Sequence, residues 1–530
     1  MPTIDIVTMR GETPRVAPHL LPNEVATLAR DCLFDRGTLQ PLNDDLAMGV
    51  TLPITPKTLF RYTDNFWFAW AVEVEAIRSP IAQDSYGRVY YTDGDYPKVT
   101  TADIATGGAT KPTAWYRLGV SAPTSAIQIG EITPPDGATD DDATDDETRY
   151  YVHTYVTASG EEGPPSDAST EVTITIPDST VTLGLPAVDA NDRNITSRRI
   201  YRSVTSDDSA DYLFVAEVPI AQASYVDSKA SDELAGSLET YDYLPPPDNM
   251  RGLCLMANGI ACGFAGNELL FSGAYLPYAW PEANRLTTEH EIVAIAATGA
   301  ALVVGTEGYP YLCQGVSPSA ITSTKIELQQ ACISRRSMVS VDGLVLYASP
   351  DGLVGVSTSG ANLVTVQIIT PSQWQVMNPE TLRAWCHEGK YIGITDTHAF
   401  MYDPASGDFR QMSNRWDAAY EDLLTDSLYV AHGTQLSRWR GDSEASVNYT
   451  WRSKVFTFTE AAMSCAKVSR GDGDLTFRLY LDGELVLDLD DVPTGAFRLP
   501  SLRGNKWQVE VSGLAEVERI QVATSMAEIQ

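Results

Sequence analysis

The sequence predicts a mostly β protein: a β-propeller-like body, a β-sandwich inserted into it, and a further β-domain at the C-terminal end. Three observations predict it. Strand–turn–strand units recur about every 40 to 50 residues through the second half, which is the period of a propeller blade. Ahead of them, six or seven short strands crowd into about 100 residues. The last stretch alternates apolar and polar residues with period two around an Asp-Gly turn. Composition agrees: 43% of the 530 residues are hydrophobic, enough for true cores, and 38 glycines and 31 prolines suit short strands better than long helices.

Residues 1–47 read as an extended arm. Within "PRVAPHLLPNEVATLARDCLFDRGTLQPL", residues 14–42, the spacing of Val25, Leu28 and Ala29 predicts a short helix capped by Asn23 and ended by a turn at Gly37. Residues 48–120 turn to period two. "LFRYTDNFWFAWAVEVEAIRS" and "GRVYYTDGDYPKVT" read as platform or first-blade strands, with a turn at Asp93-Gly94. A propeller must close, so this segment is expected to supply a blade to the residues after the insert.

Residues 121–245 form the insert. They open on "PPDGATDDDATDDET", a solvated acidic loop by composition. Its carboxylates permit a calcium ion, but the glycine and closing glutamate of a helix-loop-helix site are not at the required spacing. The strands "TRYYVHTYVTA", "TEVTITI", "TVTLGLPAV", "SRRIYRSV", "DYLFVAEVP" and "ASYVDS" follow. They resemble a fibronectin type III domain of the immunoglobulin-like class. "YYVHTYVTASGEEGPPSDAST" is similar to its penultimate strand and the turn into its last, and the later strands to its second through fifth. The usual end thus precedes the usual middle, so the order is permuted or an extra strand pair completes the sheet. "YDYLPPPDNM" is a proline-rich hinge that closes the insert.

Residues 246–445 hold the remaining blades. "NGIACGFAGNELLFSG", "TGAALVVGTEGYPYLCQG", "DGLVLYASPDGLVGVST", "GKYIGITDTHAFMYDP" and "DSLYVAHGTQLSRWRG" share one plan, and "TPSQWQVMNPETLRAWC" interrupts them with a helix. Residues 446–530 form the C-terminal β-sandwich, with a hairpin turn at Asp482-Gly483.

Charge and cysteines narrow the function classes. Lys+Arg is 37 against Asp+Glu 70, a net charge of −33, which disfavours binding nucleic acid through its phosphates. An acidic wall still lets DNA slide past, because it repels the backbone. The seven cysteines, Cys32, Cys254, Cys262, Cys313, Cys332, Cys386 and Cys465, are irregularly spaced and form no Cys-x-x-Cys pair. Neither a disulfide framework nor a zinc site is suggested. "MPTIDIVTMRGETPR" lacks the apolar core of an export signal, so synthesis in the cytoplasm is expected. The apolar run Ile292 to Val304 is too short for a bilayer span and is split at Thr298-Gly299.

No catalytic, cofactor-binding or metal-binding residue is predicted, and the chain is not expected to be an enzyme. "VGVSTSG" around Ser357 lacks the spacing of a nucleophile elbow, and no phosphate loop is present. Among His19, His153, His290, His387, His398 and His432 only His387 and His398 are placed to face each other, on neighbouring strands, and structural roles are the favoured reading. "SPDGLVGVS", Ser349 to Ser357, matches a sialidase aspartate box only at its start. The two Arg-Gly-Asp triplets, at Arg440 and Arg470, read as ordinary turn composition.

Taken together, the arm 14–42, the propeller-like middle and the close "FRLPSLRGNKWQVEVSGLAEVERIQVATSMAEI", residues 497–529, resemble the tail nozzle, or tubular tail protein, of short-tailed bacteriophages. The shared features are the prolines, Leu20-Leu21, a small-residue helix, Cys32, Gly37-x-Leu39-x-Pro41 and the terminal strand pair. The resemblance implies a structural virion protein that forms a homo-oligomeric ring, typically a hexamer, below the portal and adaptor proteins. Such a ring continues and gates the DNA channel and anchors tail fibres or spikes, with viral DNA passing through without sequence-specific binding. No membrane-spanning segment is expected. The alternative from another class is a receptor- or glycan-binding, possibly glycan-degrading, propeller at the virion tip.

Overall fold

The computed structural model describes residues 2–108, 112–144, 147–188, 191–205, 210–234 and 236–529. The chain is mostly β, with a β-propeller-like body, an inserted fibronectin-like sandwich and a C-terminal β-domain. It divides into two compact units: Met1–Val72 with Val293–Cys313 and Thr324–Gln530, and Glu73–Ile292 with Gln314–Ser323.

In the first unit, two antiparallel meanders are complete within the second half of the chain. One joins Val339–Val341, Leu344–Ser349, Gly352–Ser357 and Gly360–Leu363; the other joins Arg383–His387, Lys390–Ile394, Ala399–Tyr402 and Phe409–Gln411. A third, Ala418–Asp422, Ser427–His432 and Gln435–Ser446, takes its fourth strand, Asn43–Thr51, from the segment ahead of the insert. The hairpin Thr58–Thr63 and Phe66–Trp70 then packs Leu59, Trp67 and Ala69 against Ala418, Tyr429 and Leu436. The segment before the insert therefore donates a strand and a hairpin that close the last meander. Between the meanders, Pro371–Val376 is helical as expected, capped by Thr370 and Gln373, and it buries Trp374.

The C-terminal domain follows its alternation. Leu475–Leu481 buries every second residue, and Asp482 (φ 50°) and Gly483 (φ 95°) make the turn into Glu484–Leu489. Paired positive φ angles match the right-handed strand twist, which is why Asp-Gly marks this hairpin. Trp451, Phe477, Trp507, Val509, Ile520 and Val522 fill the core.

The expected helix after Asn23 is not formed. Val25–Ala26, Leu28–Arg30 and Cys32–Leu33 are strands. Leu28–Arg30 lies between Phe409–Gln411 and Tyr449–Arg452 and joins a meander to the C-terminal domain in one sheet. The reason is competition for backbone partners. A helix this short is marginal alone, whereas the flanking strands supply ready acceptors: Thr27 N–H donates to Arg452 and Asp31 N–H to Gln411. Thr3–Ile6 is likewise woven in, antiparallel to Val517–Ala523. The turn at Gly37 forms, with φ 75°.

The second unit holds two meanders and the sandwich. Glu75–Arg78, Val89–Thr92, Lys98–Thr100 and Tyr116–Arg117 form one meander; Arg251–Leu255, Ile260–Ala265, Glu268–Ala274 and Arg285–Thr287 form the other. They share a core around Tyr90, Met250, Leu270 and Trp280. In the sandwich, Gln128–Thr133, Thr180–Gly184 and Ser224–Asp227 make one sheet, and Tyr151–Thr157, Ile195–Thr205 and Ala210–Pro219 the other. Glu147–Arg149, just before Tyr151, pairs with Val172–Ile174. The strands that resemble the end of the domain thus lie, in sequence, between the first and second strands of the other sheet. A permuted order and an extra strand pair, Glu147–Arg149 with Val172–Ile174, are both present. In the acidic loop the Asp142 carboxylate caps the turn at Thr139, while Asp145 and Asp146 lie outside the described residues. The apolar run does break in two, as Ile292–Thr298 and Ala301–Thr306.

Candidate functional site: a cleft beside the inserted sandwich

Strand pairing alone aligns the polar groups of this site. On the sheet face that carries it, Arg199 sits opposite Thr154 on one neighbouring strand and Glu217 on the other. The next row is Val152, Tyr201 and Phe214. Period-two alternation puts Arg199 and Tyr201, and Thr154 and Val152, on one face, and the bulge opposite Ile200–Tyr201 brings Glu217 and Phe214, three residues apart, to it as well.

The turn after Thr157 completes the arrangement. Its two adjacent glutamates point to different elements. Glu161 accepts from Arg88 (2.8 Å) and from the Tyr90 hydroxyl (3.2 Å), both on the neighbouring meander. Glu162 accepts from the Thr154 hydroxyl, the Tyr201 hydroxyl and Arg199, each at 2.6 Å. One glutamate fastens the turn to the meander and the other to the sandwich sheet. Burial lifts the Glu161 carboxyl above its ordinary range, against the pull of Arg88. Gly163 allows the approach, since a Cβ there would stand 2.7 Å from Val120.

The result is a cleft of about 510 Å³. Phe214, Tyr201, Arg199 and Glu217 line the sandwich side, and Tyr243, Leu276 and Tyr278 line the other. The Tyr201 and Phe214 rings lie 5.8 Å apart and edge-on; Tyr243 and Tyr278 lie 6.2 Å apart in the same manner. Arg199 is shared between Glu162 and Glu217 (2.9 Å). The Ser197 hydroxyl and Arg199 hold the Glu217 carboxyl below its usual range, so it is a poor proton donor.

A second, smaller cavity of about 240 Å³ lies in the first unit, among Glu12, Val376, Met377, His398 and Phe409. Burial raises the Glu12 carboxyl to about 7, although it accepts from Gln411 (3.0 Å) and from the Ala29 N–H (3.1 Å).

The residues singled out in the sequence are placed otherwise. His387 and His398 do not face each other. They sit at opposite ends of the strand Lys390–Ile394, roughly 13 Å apart at 3.3 Å per residue. His387 is buried edge-on to Trp439, while His398 is in the turn before Ala399. Of the Arg-Gly-Asp triplets, the first lies within the strand Gln435–Ser446 rather than in a turn, and its Arg440 pairs with Glu388 (2.6 Å); in the second, Arg470 donates to the carbonyls of Val492 and Gly473. None of the cleft residues was singled out beforehand. The only trace was "GEEG", residues 160–163, whose charged doublet in a turn looks like ordinary surface composition.

Among the described residues, no group of three His, Cys, Asp or Glu is placed to hold a metal ion, and no helix is long and apolar enough to cross a membrane. No protein-family model matches the chain, and no curated protein matches it. Among solved structures it is similar to the WD40 domain of Neurospora crassa Pan2, at TM-score 0.28 and 8% identity, over 70% of this chain and 91% of that one. Hsv2 of Kluyvelomyces marxianus gives TM-score 0.25 and 9% identity over 60% and 95%. The CNH domain of AfRom2 gives 0.24 and 8% over 58% and 93%. Likeness this distant says nothing of function, and the propeller character rests on the four-stranded meanders themselves.

Proposed function

We infer that the chain is a structural subunit of a virion tail, made in the host cytoplasm. Several copies, six on the bacteriophage nozzle pattern, form a ring below a portal and adaptor. The ring continues the DNA channel, gates it, and carries tail fibres or spikes on its side. Its work is mechanical: no bond is made or broken, and no cofactor is needed. A net charge of −33 suits a wall past which DNA moves without adhering.

One observation carries the reading. The two sequence patterns that resemble the nozzle family, the arm and the terminal strand pair, are hydrogen-bonded to each other. Thr3–Ile6, at the start of the arm and ahead of the resembling stretch 14–42, pairs with Val517–Ala523, and within that stretch Leu39 bridges Val517. Trp451 Nε1 donates to the Arg10 carbonyl at 3.0 Å. Segments some 500 residues apart thus make one structural block, as a load-carrying shell subunit requires.

Electron microscopy of purified particles carrying a tagged chain tests this. The expected result is a closed ring of identical subunits on the portal axis, with heterologous contacts between neighbours. A label on side fibres alone, or a chain absent from particles, overturns it.

A further inference from the structure

We propose that the cleft between the sandwich sheet and the linker around Tyr243 binds a neutral oligosaccharide. The volume of about 510 Å³ lies in the range of small-ligand sites and leaves room for a short sugar chain. Three features select the ligand class.

The first is aromatic surface. Phe214 and Tyr243 are half-buried and offer ring area to the cleft, each braced edge-on by a buried partner, Tyr201 or Tyr278. An aromatic face is electron-rich. A pyranose ring presents a patch of polarised C–H groups that fits such a face and carries hydroxyls around its rim.

The second is spare hydrogen-bonding capacity. The Ser237 hydroxyl, the Glu239 carboxylate and the Tyr243 hydroxyl line the cleft, and none makes a side-chain hydrogen bond to another described residue. Glu162 and Glu217 are already occupied by Arg199, Tyr201, Thr154 and Ser197, so the sheet wall is fixed before a ligand arrives.

The third is charge. Arg199, paired with Glu162 and Glu217, and Lys229, 5.9 Å from the centre of the Phe214 ring, stand against Glu162, Glu217 and Glu239, which leaves a negative excess. That repels phosphate, sulfate and sialic acid, and it favours an uncharged polyol whose hydroxyls donate to carboxylates. The site is independent of the ring reading: a ring without sugar binding and sugar binding without a ring are both separable outcomes.

The test is saturation-transfer NMR and titration calorimetry on the full chain. The probes are maltotetraose, mannotetraose, chitotetraose and lacto-N-tetraose, with 3′-sialyllactose as the anionic control. At least one neutral probe is expected to receive transfer and the sialylated one none. Ser237→Trp, which fills the cleft from an exposed position, is expected to lower affinity at least about tenfold, as is Tyr243→Ala. Tyr243→Phe, which keeps the ring, is expected to retain most of the binding. Circular dichroism of each variant checks the fold. Transfer to none of the neutral probes, preference for 3′-sialyllactose, or binding unchanged in both Ser237→Trp and Tyr243→Ala overturns the proposal.

Discussion

Glu12 carries an acid into the protein interior, only 3% exposed, where the Ala29 N–H and the Gln411 amide are its partners. Burial outweighs those hydrogen bonds and raises the carboxyl from 4.5 to about 7. The sign of the linkage follows. The unfolded chain loses this proton above about pH 4.5, while the fold keeps it until about 7. Stability therefore falls as pH rises between those values and stays lower beyond, by at most about 3 kcal/mol. Glu12→Gln is expected to raise the unfolding midpoint at pH 8 and leave it nearly unchanged at pH 4.5, as calorimetry at the two pH values will show. Arg202 and Asp227 are the opposite case: both wholly buried, 2.7 Å apart, with the Tyr151 hydroxyl also on Asp227 at 2.8 Å. Arg202→Met strands a buried carboxylate and is expected to cost about 3–5 kcal/mol. Adding Asp227→Leu is expected to recover much of that, and denaturant titration of both variants checks it.

At the scale of elements, the strand Tyr151–Thr157 decides how the sandwich behaves, because all seven of its residues are buried. His153 is in its middle. The ring bonds the Ser125 carbonyl through Nε2 (3.0 Å), and burial lowers its pKa to about 4. The neutral ring belongs to the fold, and the unfolded chain takes up a proton below about pH 6.5. This contribution is complete above 6.5 and is lost as pH falls towards 4, at most about 3 kcal/mol. Hydrogen exchange over residues 151–157, corrected for intrinsic rates, is expected to show falling protection between pH 7 and pH 5. His153→Gln is expected to flatten that trend. The sequence displayed this strand plainly, through its aromatic alternation. It did not display the three strands at 25–33, because their apolar spacing fits a helix equally well. What decided them was the pair of strand edges waiting on either side.

For the molecule as a whole, the first residues act as a cover. Thr3–Ile6 shields the edge of Val517–Ala523, and Ile4 and Ile6 are buried in the C-terminal core. Removing residues 1–8 forfeits the burial of two isoleucines, about 3–6 kcal/mol by transfer values, and opens a β edge that templates association. The shortened chain is expected to aggregate at a lower temperature than the intact one, measured by light scattering during heating. Asn43–Thr51 closes the last meander in the same way, so the first unit is tied by residues that precede the insert.

Local pattern set the β character, the period of the meanders, the short strands of the sandwich and the Asp482-Gly483 hairpin, since each depends on alternation or on backbone freedom within a few residues. Tertiary structure alone decided that residues 25–33 are strands and that His387 and His398 stand apart. It also turned Glu161 and Glu162 to opposite partners and set Arg199 beside two aromatic pairs. Those outcomes depend on which distant backbone or charge comes within reach, and no local pattern of residues encodes that distance.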